Sequence, residues 1–262
     1  MPTRAVAREF DEISPAYDAT RSPLDTATMD GLARALRDRG VLRVLEVGVG
    51  TGRIARPLEE RGLGVTGLDA SRGMLGVARS KGLVRLVQGS AYRLPFADGS
   101  FDAALFVHVL HLLDDPPSAL HEGDRVGTGG ALALVHPAVP GSAATSWEID
   151  EGRRAVYRAL AREGIPSPAR SGGPRARERL LLDLLPPDDL VVLSDREVIE
   201  PLARNLAMFE RRASRHVLHV PADRLARAIA AARRELGDRT VRYRRVEALA
   251  TWSARRRVRR RQ

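Results

Sequence analysis

The stretch LEVGVGTGR, residues 45–53, decides the fold. Leu45, Glu46 and Val47 close the apolar run VLRVLEV at 41–47, the pattern of a strand buried on both faces. Gly48, Gly50 and Gly52 follow as G-x-G-x-G, and Arg53 to Arg61 then reads as a helix closed by Gly62. Glycines at a strand-to-helix turn let the chain bend sharply and let a ligand reach the backbone with no Cβ in the way. The helix start behind them is expected to offer backbone N–H groups to a carboxylate or phosphate. The spacing excludes the commonest nucleotide loops. Arg53 follows Gly52, so there is no G-x-G-x-x-G, and the only lysine, Lys81, is not in a G-x-x-x-x-G-K context. Asp69 ends the next strand signal, GVTGLD at 64–69. A carboxylate at that strand end lies beside the glycine turn and accepts hydrogen bonds from a ribose diol.

Outward from this pair, strand and helix signals alternate. Ser71 is placed to N-cap a helix through Ser80, and Asp115 to Val126 reads as another helix. LVRLVQ at 83–88, FDAALFV at 101–107 and GALALVH at 130–136 read as strands. Strands joined by helices of this length imply right-handed crossovers and a mostly parallel sheet. Past residue 140 the pattern changes. Helices are expected over 147–163, 175–185, 202–216 and 222–236, strands over 190–201 and 240–254, and a loop over 166–174. The helices read as insertions around a sheet, the usual form of a lid.

Composition narrows the functional class. The 262 residues are 44% hydrophobic and contain no cysteine, which excludes disulfides, thiolate zinc sites and cysteine nucleophiles. No apolar run is long enough to span a bilayer, and the N-terminus has no signal-peptide core, so a cytoplasmic protein is expected. The formal charge is +10, with 43 Lys and Arg against 33 acids. Arg255, Arg256, Arg257, Arg259, Arg260 and Arg261 crowd the C-terminus. They read either as a solvated tail or as a contact for an anionic partner.

Taken in order, the motifs LEVGVGTG, VTGLDAS with Met74, VQGSAYRLPFADGSFDAALFVHVLHLL and TGGALALVHP, over roughly 41–137, resemble the class I S-adenosylmethionine-dependent methyltransferases, in particular the small-molecule "methyltransferase type eleven" group. FDEISPAYDATR at 10–21 resembles the N-terminal lid segment of that group. The resemblance implies an α/β, Rossmann-like, mostly parallel seven-stranded sheet in the order three-two-one-four-five-seven-six, with helices on both faces and a helical lid. Residues 1–40 would be N-terminal lid helices and 41–140 the cofactor-binding core. Residues 141–189 would form a helical lid, and 190–262 would complete the sheet, with a helical insert at 202–237 and the basic tail.

The resemblance also implies S-adenosyl-L-methionine as cofactor and a methyl acceptor that is a small molecule. Glu46, Gly48, Gly50 and Gly52 would line the methionine end of the cofactor. Asp69 would hold the ribose hydroxyls, and Ala70 and Met74 would flank the adenine. Ser90 and Ala91 stand where the group usually has an acid followed by alanine, a departure that weakens the adenine contact or moves it to backbone. Val107 and His108 would close the pocket, with Tyr17 and Arg21 folded over it and Arg21 pairing the cofactor carboxylate.

Methyl transfer by in-line displacement needs alignment and desolvation first, and a general base only when the acceptor must lose a proton. His108 is the candidate base. His111 reads as a packing residue at a helix start, and His136 as a candidate of the same kind as His108. No metal site is expected. A nucleic-acid methyltransferase is the second reading, motivated by the charge. However, the N/D-P-P-[FYW] tetrad is absent, because Ser118 follows Asp115-Pro116-Pro117. A protein that binds S-adenosylmethionine or a nucleoside without methyl transfer is the third. No membrane partner is expected, and the assembly is a monomer or a homodimer.

Overall fold

Continuous apolar runs become parallel strands buried on both faces, as the chemistry of a covered sheet requires. The computed structural model describes residues 4–21, 24–137, 151–165, 173–212 and 214–253. The parallel strands are β1 (Arg43–Val47), β2 (Gly64–Asp69), β3 (Leu86–Gln88), β4 (Ala103–Val107) and β5 (Ala131–Val135). Every residue of β4 and β5 is buried. Two long strands, β6 (Asp189–Pro201) and β7 (Thr240–Trp252), pair antiparallel with each other, and β7 pairs antiparallel with β5. The seven form one sheet in the order β3-β2-β1-β4-β5-β7-β6. Strands β1 to β3 are added toward one edge of the sheet and β4 onward toward the other, so the strand order switches between the parallel neighbours β1 and β4, and ligands of open α/β sheets bind at the carboxyl ends of such a switch point.

Helices α1 (Arg4–Tyr17), α2 (Thr26–Arg37), α3 (Ala55–Glu60), α4 (Arg72–Ser80) and α5 (Pro116–Val126) accompany the parallel strands. Helices α6 (Glu151–Arg162), α7 (Gly173–Leu184), α8 (Leu206–Glu210) and α9 (Ala222–Leu236) belong to the second half. Alternate strand residues feed two cores. Val44, Leu105, Leu132 and Leu249 pack on one side of the sheet with Leu32, Leu36 and Leu58. Leu45, Phe106, Ala133 and Ala250 pack on the other side with Leu120 and Trp252. A third core, among them Val156, Leu160, Phe209, Leu225 and Ile229, joins α6, α8 and α9 away from the sheet. No helix among the described residues is long and apolar enough to cross a membrane.

Several local expectations change. The strand at 83–88 is shorter than its apolar run, because Leu83 turns in to pack under the glycine loop. A single helix over 202–216 does not form. A 3-10 turn at Leu202–Asn205 runs into α8, and a second 3-10 turn covers Arg215–Val217. The break is at Arg212, which takes the left-handed conformation with φ of 50°. Its guanidinium donates to the carbonyls of Val217, Leu218 and Val220, which favours a folded-back loop over a continued helix. The expected N-terminal end of α6 at 147–150, most of the loop at 166–174 and the arginine run at 255–261 lie outside the described residues.

Candidate functional site

The glycine loop is a shape built by sterics. Gly48 and Gly52 both have φ of 78°. A Cβ at Gly48 would stand 2.6 Å from Val109 Cγ2, and one at Gly52 would stand 2.2 Å from Leu83 Cδ1. Only glycine satisfies both the backbone angle and the space. The backbone donors of the loop are, however, already in use. Gly48 and Val49 donate to the Leu68 carbonyl at 2.7 and 3.0 Å, and Gly52 donates to the Val49 carbonyl at 3.0 Å. Gly50 donates to Asp69 Oδ2 at 2.8 Å. These four N–H groups are spent on the neighbouring strand, on Val49 within the loop and on Asp69.

Two carboxylates form the polar floor. Asp69 points at the loop, and its Oδ1 accepts from Ser71 N at 2.9 Å. Burial raises its pKa, opposed by the N–H donors of Ser71 and Gly50. Glu46, in β1, is 1% exposed, and its Oε2 has no hydrogen-bond partner. Burial pushes its carboxyl well above the ordinary range, the charge of Asp69 pushes it further, and the Ala55 N–H opposes both.

The N-terminal segment closes one side. Asp11 Oδ1 accepts from Ser71 Oγ at 2.6 Å and Gly73 N at 2.8 Å, fixing α1 on the start of α4. Ser71 itself accepts from Met74 N at 3.1 Å, the expected N-cap. Farther on, Asp18 Oδ1 takes the Thr51 hydroxyl at 2.5 Å, and its Oδ2 pairs with Lys81. Lys81 also donates to the Thr51 carbonyl at 2.9 Å, so the single lysine straps the segment to the glycine loop.

These elements enclose a cleft of about 990 Å³, part of it open to solvent. Of the residues singled out in the sequence, Tyr17, Glu46, Gly48, Gly50, Asp69, Ala70, Met74, Ala91, Val107 and His108 line it. Gly52 lies behind the loop against Leu83. Ser90 is not in the wall, and its Oγ accepts from Tyr92 N at 3.2 Å. Arg21 is not in the wall either. Its guanidinium lies 4.8 Å from the Tyr17 ring centroid and 2.9 Å from the Met208 sulfur. Arg53 lines the cleft instead, with its pKa lowered by burial. Sequence reasoning passed over Arg53 because it reads as the first residue of a helix. It also passed over Val6, Ala7 and Phe10 of α1, which cover the cleft. Their apolar spacing in α1 is the signal that would have found them.

At the other end the chain leaves β4 through His108, whose φ of 54° is uncommon for a residue other than glycine. His108 is exposed at the cleft edge and its ring stacks on His136, with centroids 5.6 Å apart. His111 sits in the 3-10 turn at Leu110–Leu112. Burial lowers its pKa to about 4, so it is neutral at physiological pH.

Comparison with known proteins agrees with this architecture. The family model described as "Methyltransferase domain" matches residues 45–135. A demethylmenaquinone methyltransferase from Renibacterium salmoninarum is 38% identical over 135 residues, which is 50% of this chain and 57% of that protein. One from Thermus thermophilus is 36% identical over 138 residues, 48% of this chain and 63% of that protein. The chain thus spans less than two thirds of the length of these relatives. Among solved structures, the YcgJ protein from Bacillus subtilis superposes with a TM-score of 0.51 at 18% identity, covering 86% of this chain and 98% of that one. A putative type II methyltransferase from Anaeromyxobacter dehalogenans gives 0.50 at 22% identity, covering 85% and 94%. At those identities what is shared is the fold.

Proposed function

We propose, from the premise that residues 45–135 form a methyltransferase domain, that the chain transfers a methyl group from S-adenosylmethionine to a small-molecule acceptor. The observation that carries this reading is the Glu46 Oε2 atom, buried on the cleft floor without a partner. A buried carboxylate asks for a cation, and beside it Asp69 asks for hydrogen-bond donors. A polyphosphate would meet two acids and a loop whose N–H groups at 48, 49, 50 and 52 are occupied. A ligand with an ammonium group and a ribose diol satisfies both acids at once. S-adenosylmethionine has both, and when bound it supplies an electrophilic methyl carbon on a sulfonium centre.

In this reading each wall residue has a separate task. Glu46 takes the ammonium group and Arg53 the carboxylate of the amino-acid end. Asp69 keeps lone pairs for the diol while Gly50 and Ser71 hold its orientation. Ala70, Met74 and Ala91 give the adenine apolar walls, and its polar edge turns to backbone because Ser90 is directed elsewhere. Val6, Ala7 and Phe10 exclude water, so the protein contributes alignment and desolvation. The acceptor enters past His108, at the carboxyl ends of β4 and β5. The activity named for the two relatives supports a quinol-type aromatic acceptor.

Calorimetric titration with S-adenosylhomocysteine in two buffers of different ionisation heat tests this. The ligand ammonium favours ionised Glu46, so binding should release protons and tighten as pH rises toward the raised Glu46 pKa. Glu46→Gln should lose the proton release and about 10-fold in affinity. Absence of binding in the unmodified protein would end this reading.

A further inference from the structure

The corner where α7 meets β6 takes no part in the cleft, and none of its residues lines it. Helix α7 buries Glu178 and Leu181 on its inner face. Glu178 Oε1 accepts the His136 N–H at 2.6 Å, and Leu181 packs in the core that holds Ala248, Ala250 and Trp252. Leu180 and Leu184, four residues apart and so on one helix face, are left outside, 57% and 74% exposed. On β6, Leu190 pairs in register with Ala250 and Val192 with Ala248. Paired residues of neighbouring strands share a face, so both lie on the α7 side of the sheet. β6 is the edge strand, and Leu190 and Val192 are 43% and 58% exposed. The link between the two elements is fixed to the end of β7. Trp252 Nε1 donates to the Leu185 carbonyl at 3.0 Å, and Asp188 N donates to the Thr251 carbonyl at 2.8 Å. Asp188 Oδ2 in turn accepts from Ser253 N at 2.9 Å.

Of the seven large hydrophobic side chains exposed among the described residues, four belong to this corner, so it is a patch and not the scatter that any surface carries. The rim carries both signs of charge. Arg179 and Asp183 are exposed and four residues apart, on one flank of α7, and neither has an ion-pair partner among the described residues. Farther along β6, on the face that carries Leu190 and Val192, Asp195 pairs with Arg244 at 2.5 Å and Glu197 with Arg242 at 3.1 Å. A nucleic acid or an anionic membrane would meet these acids as like charges. A second copy of the chain brings each sign opposite the other.

We propose that this corner joins two copies of the chain across a two-fold axis that sets α7 antiparallel to its counterpart. Leu180 then faces Leu184 of the partner subunit, and symmetry repeats the contact in reverse. A two-fold axis normal to the plane of the two helices keeps equivalent flanks on the same side. Arg179 therefore meets Asp183 of the partner subunit, and the pair occurs twice in the dimer. Leu190 and Val192 extend the apolar centre along the sheet edge, and the charged residues form its polar rim. The pairing is independent of what the cleft binds. Its consequence for the cleft is mechanical: the partner supports the outer face of the helix whose inner face holds His136 at the end of β5.

Sedimentation velocity of the full chain over a concentration series tests this. The expected result is a reversible monomer–dimer equilibrium, the dimer having twice the 28.6 kDa mass of the chain. Leu184→Glu changes a side chain that is already mostly in solvent, so it should weaken the dimer at least ~10-fold with an unchanged circular dichroism spectrum. Arg179→Asp and Asp183→Arg should each weaken it about 10-fold, because each sets like charges against one another across the axis. An equimolar mixture of those two variants should recover the dimer, since both contacts between unlike copies then join opposite charges. This recovery reads the proposed pairing even where Leu184→Glu fails to fold. A chain that stays monomeric up to ~100 µM, a dimer indifferent to Leu184→Glu, or a mixture no tighter than its components would each overturn the proposal. Flotation with phosphatidylcholine–phosphatidylglycerol vesicles covers the other occupant. A monomer that binds these vesicles and loses them on Leu184→Glu would assign the corner to a lipid surface and overturn the dimer.

Discussion

The two ends of the cleft are built in opposite ways. At the β1–β2 end, Asp69 and the glycine loop, 19 residues apart at Gly50, are held by backbone. Asp69 is fixed by the N–H groups of Gly50 and Ser71, and the glycine loop bonds to the Leu68 carbonyl. At the β5 end, side chains hold side chains across long sequence distances. Thr28 reaches Glu247 over a separation of 219 residues, and Glu178 reaches His136 over 42. The first end is as rigid as the strands that carry it. The second depends on how α7 and the β6–β7 pair dock, which suits a site that must differ between acceptors. On the function proposed above, the first end serves the cofactor and the second the acceptor.

The contrast can be broken most sharply at the loop. Gly52→Ala places a Cβ against Leu83 in a conformation with φ of 78°. It should cost about 2–4 kcal/mol of stability in denaturant unfolding. A loss under ~0.5 kcal/mol would show that the loop relaxes freely, and the rigid end would not be rigid.

The buried acid gives a weaker, pH-dependent effect. Because the Glu46 pKa is raised in the fold, the folded protein binds more protons than the unfolded chain between the ordinary glutamate value and the raised one. Stability should therefore fall as pH rises through that window, and Glu46→Gln should flatten the slope by on the order of 1 kcal/mol per pH unit. Melting curves across pH check it, and a slope of opposite sign or one unchanged in the variant would contradict it.

The smallest effect belongs to the strap. Lys81 and Asp18 are about one-third exposed, with side-chain exposures of 31% and 34%, so solvent screens their pair. Lys81→Met should cost no more than ~1 kcal/mol in stability while speeding ligand release about threefold, since α1 covers the cleft. Stopped-flow displacement of S-adenosylhomocysteine measures this, and an unchanged release rate would remove the strap from the account.

How much the sequence reveals follows the same division. The strand order is legible through the resemblance carried by the ordered motifs, and the turn at 48–52, the strand end at Asp69 and the Ser71 cap are legible because each is signalled by residues within a few positions of it. The occupied donors of the glycine loop are not legible, since the same three glycines fit a cradle with free N–H groups and one without. Arg21 and Arg53 illustrate the limit. Both lie near the right motifs, and only the packing of Tyr17 and Met208 decides that Arg21 turns away. The segment 202–216 is rich in good helix formers, and a left-handed residue, Arg212, breaks it. Glu178 and Glu247 carry no local signal. One sits in an arginine-rich helix and the other in an alternating strand, and nothing near either one points to His136.

The most direct test of the central claim, that the bent loop and the Asp69 carboxylate hold one adenosyl ligand together, is the dissociation constant of S-adenosylhomocysteine for the unmodified protein and for Asp69→Ala. Removing both diol acceptors and the anchor of Gly50 should weaken binding about 100-fold, with the circular dichroism spectrum unchanged. An equal constant for the two proteins would contradict the account.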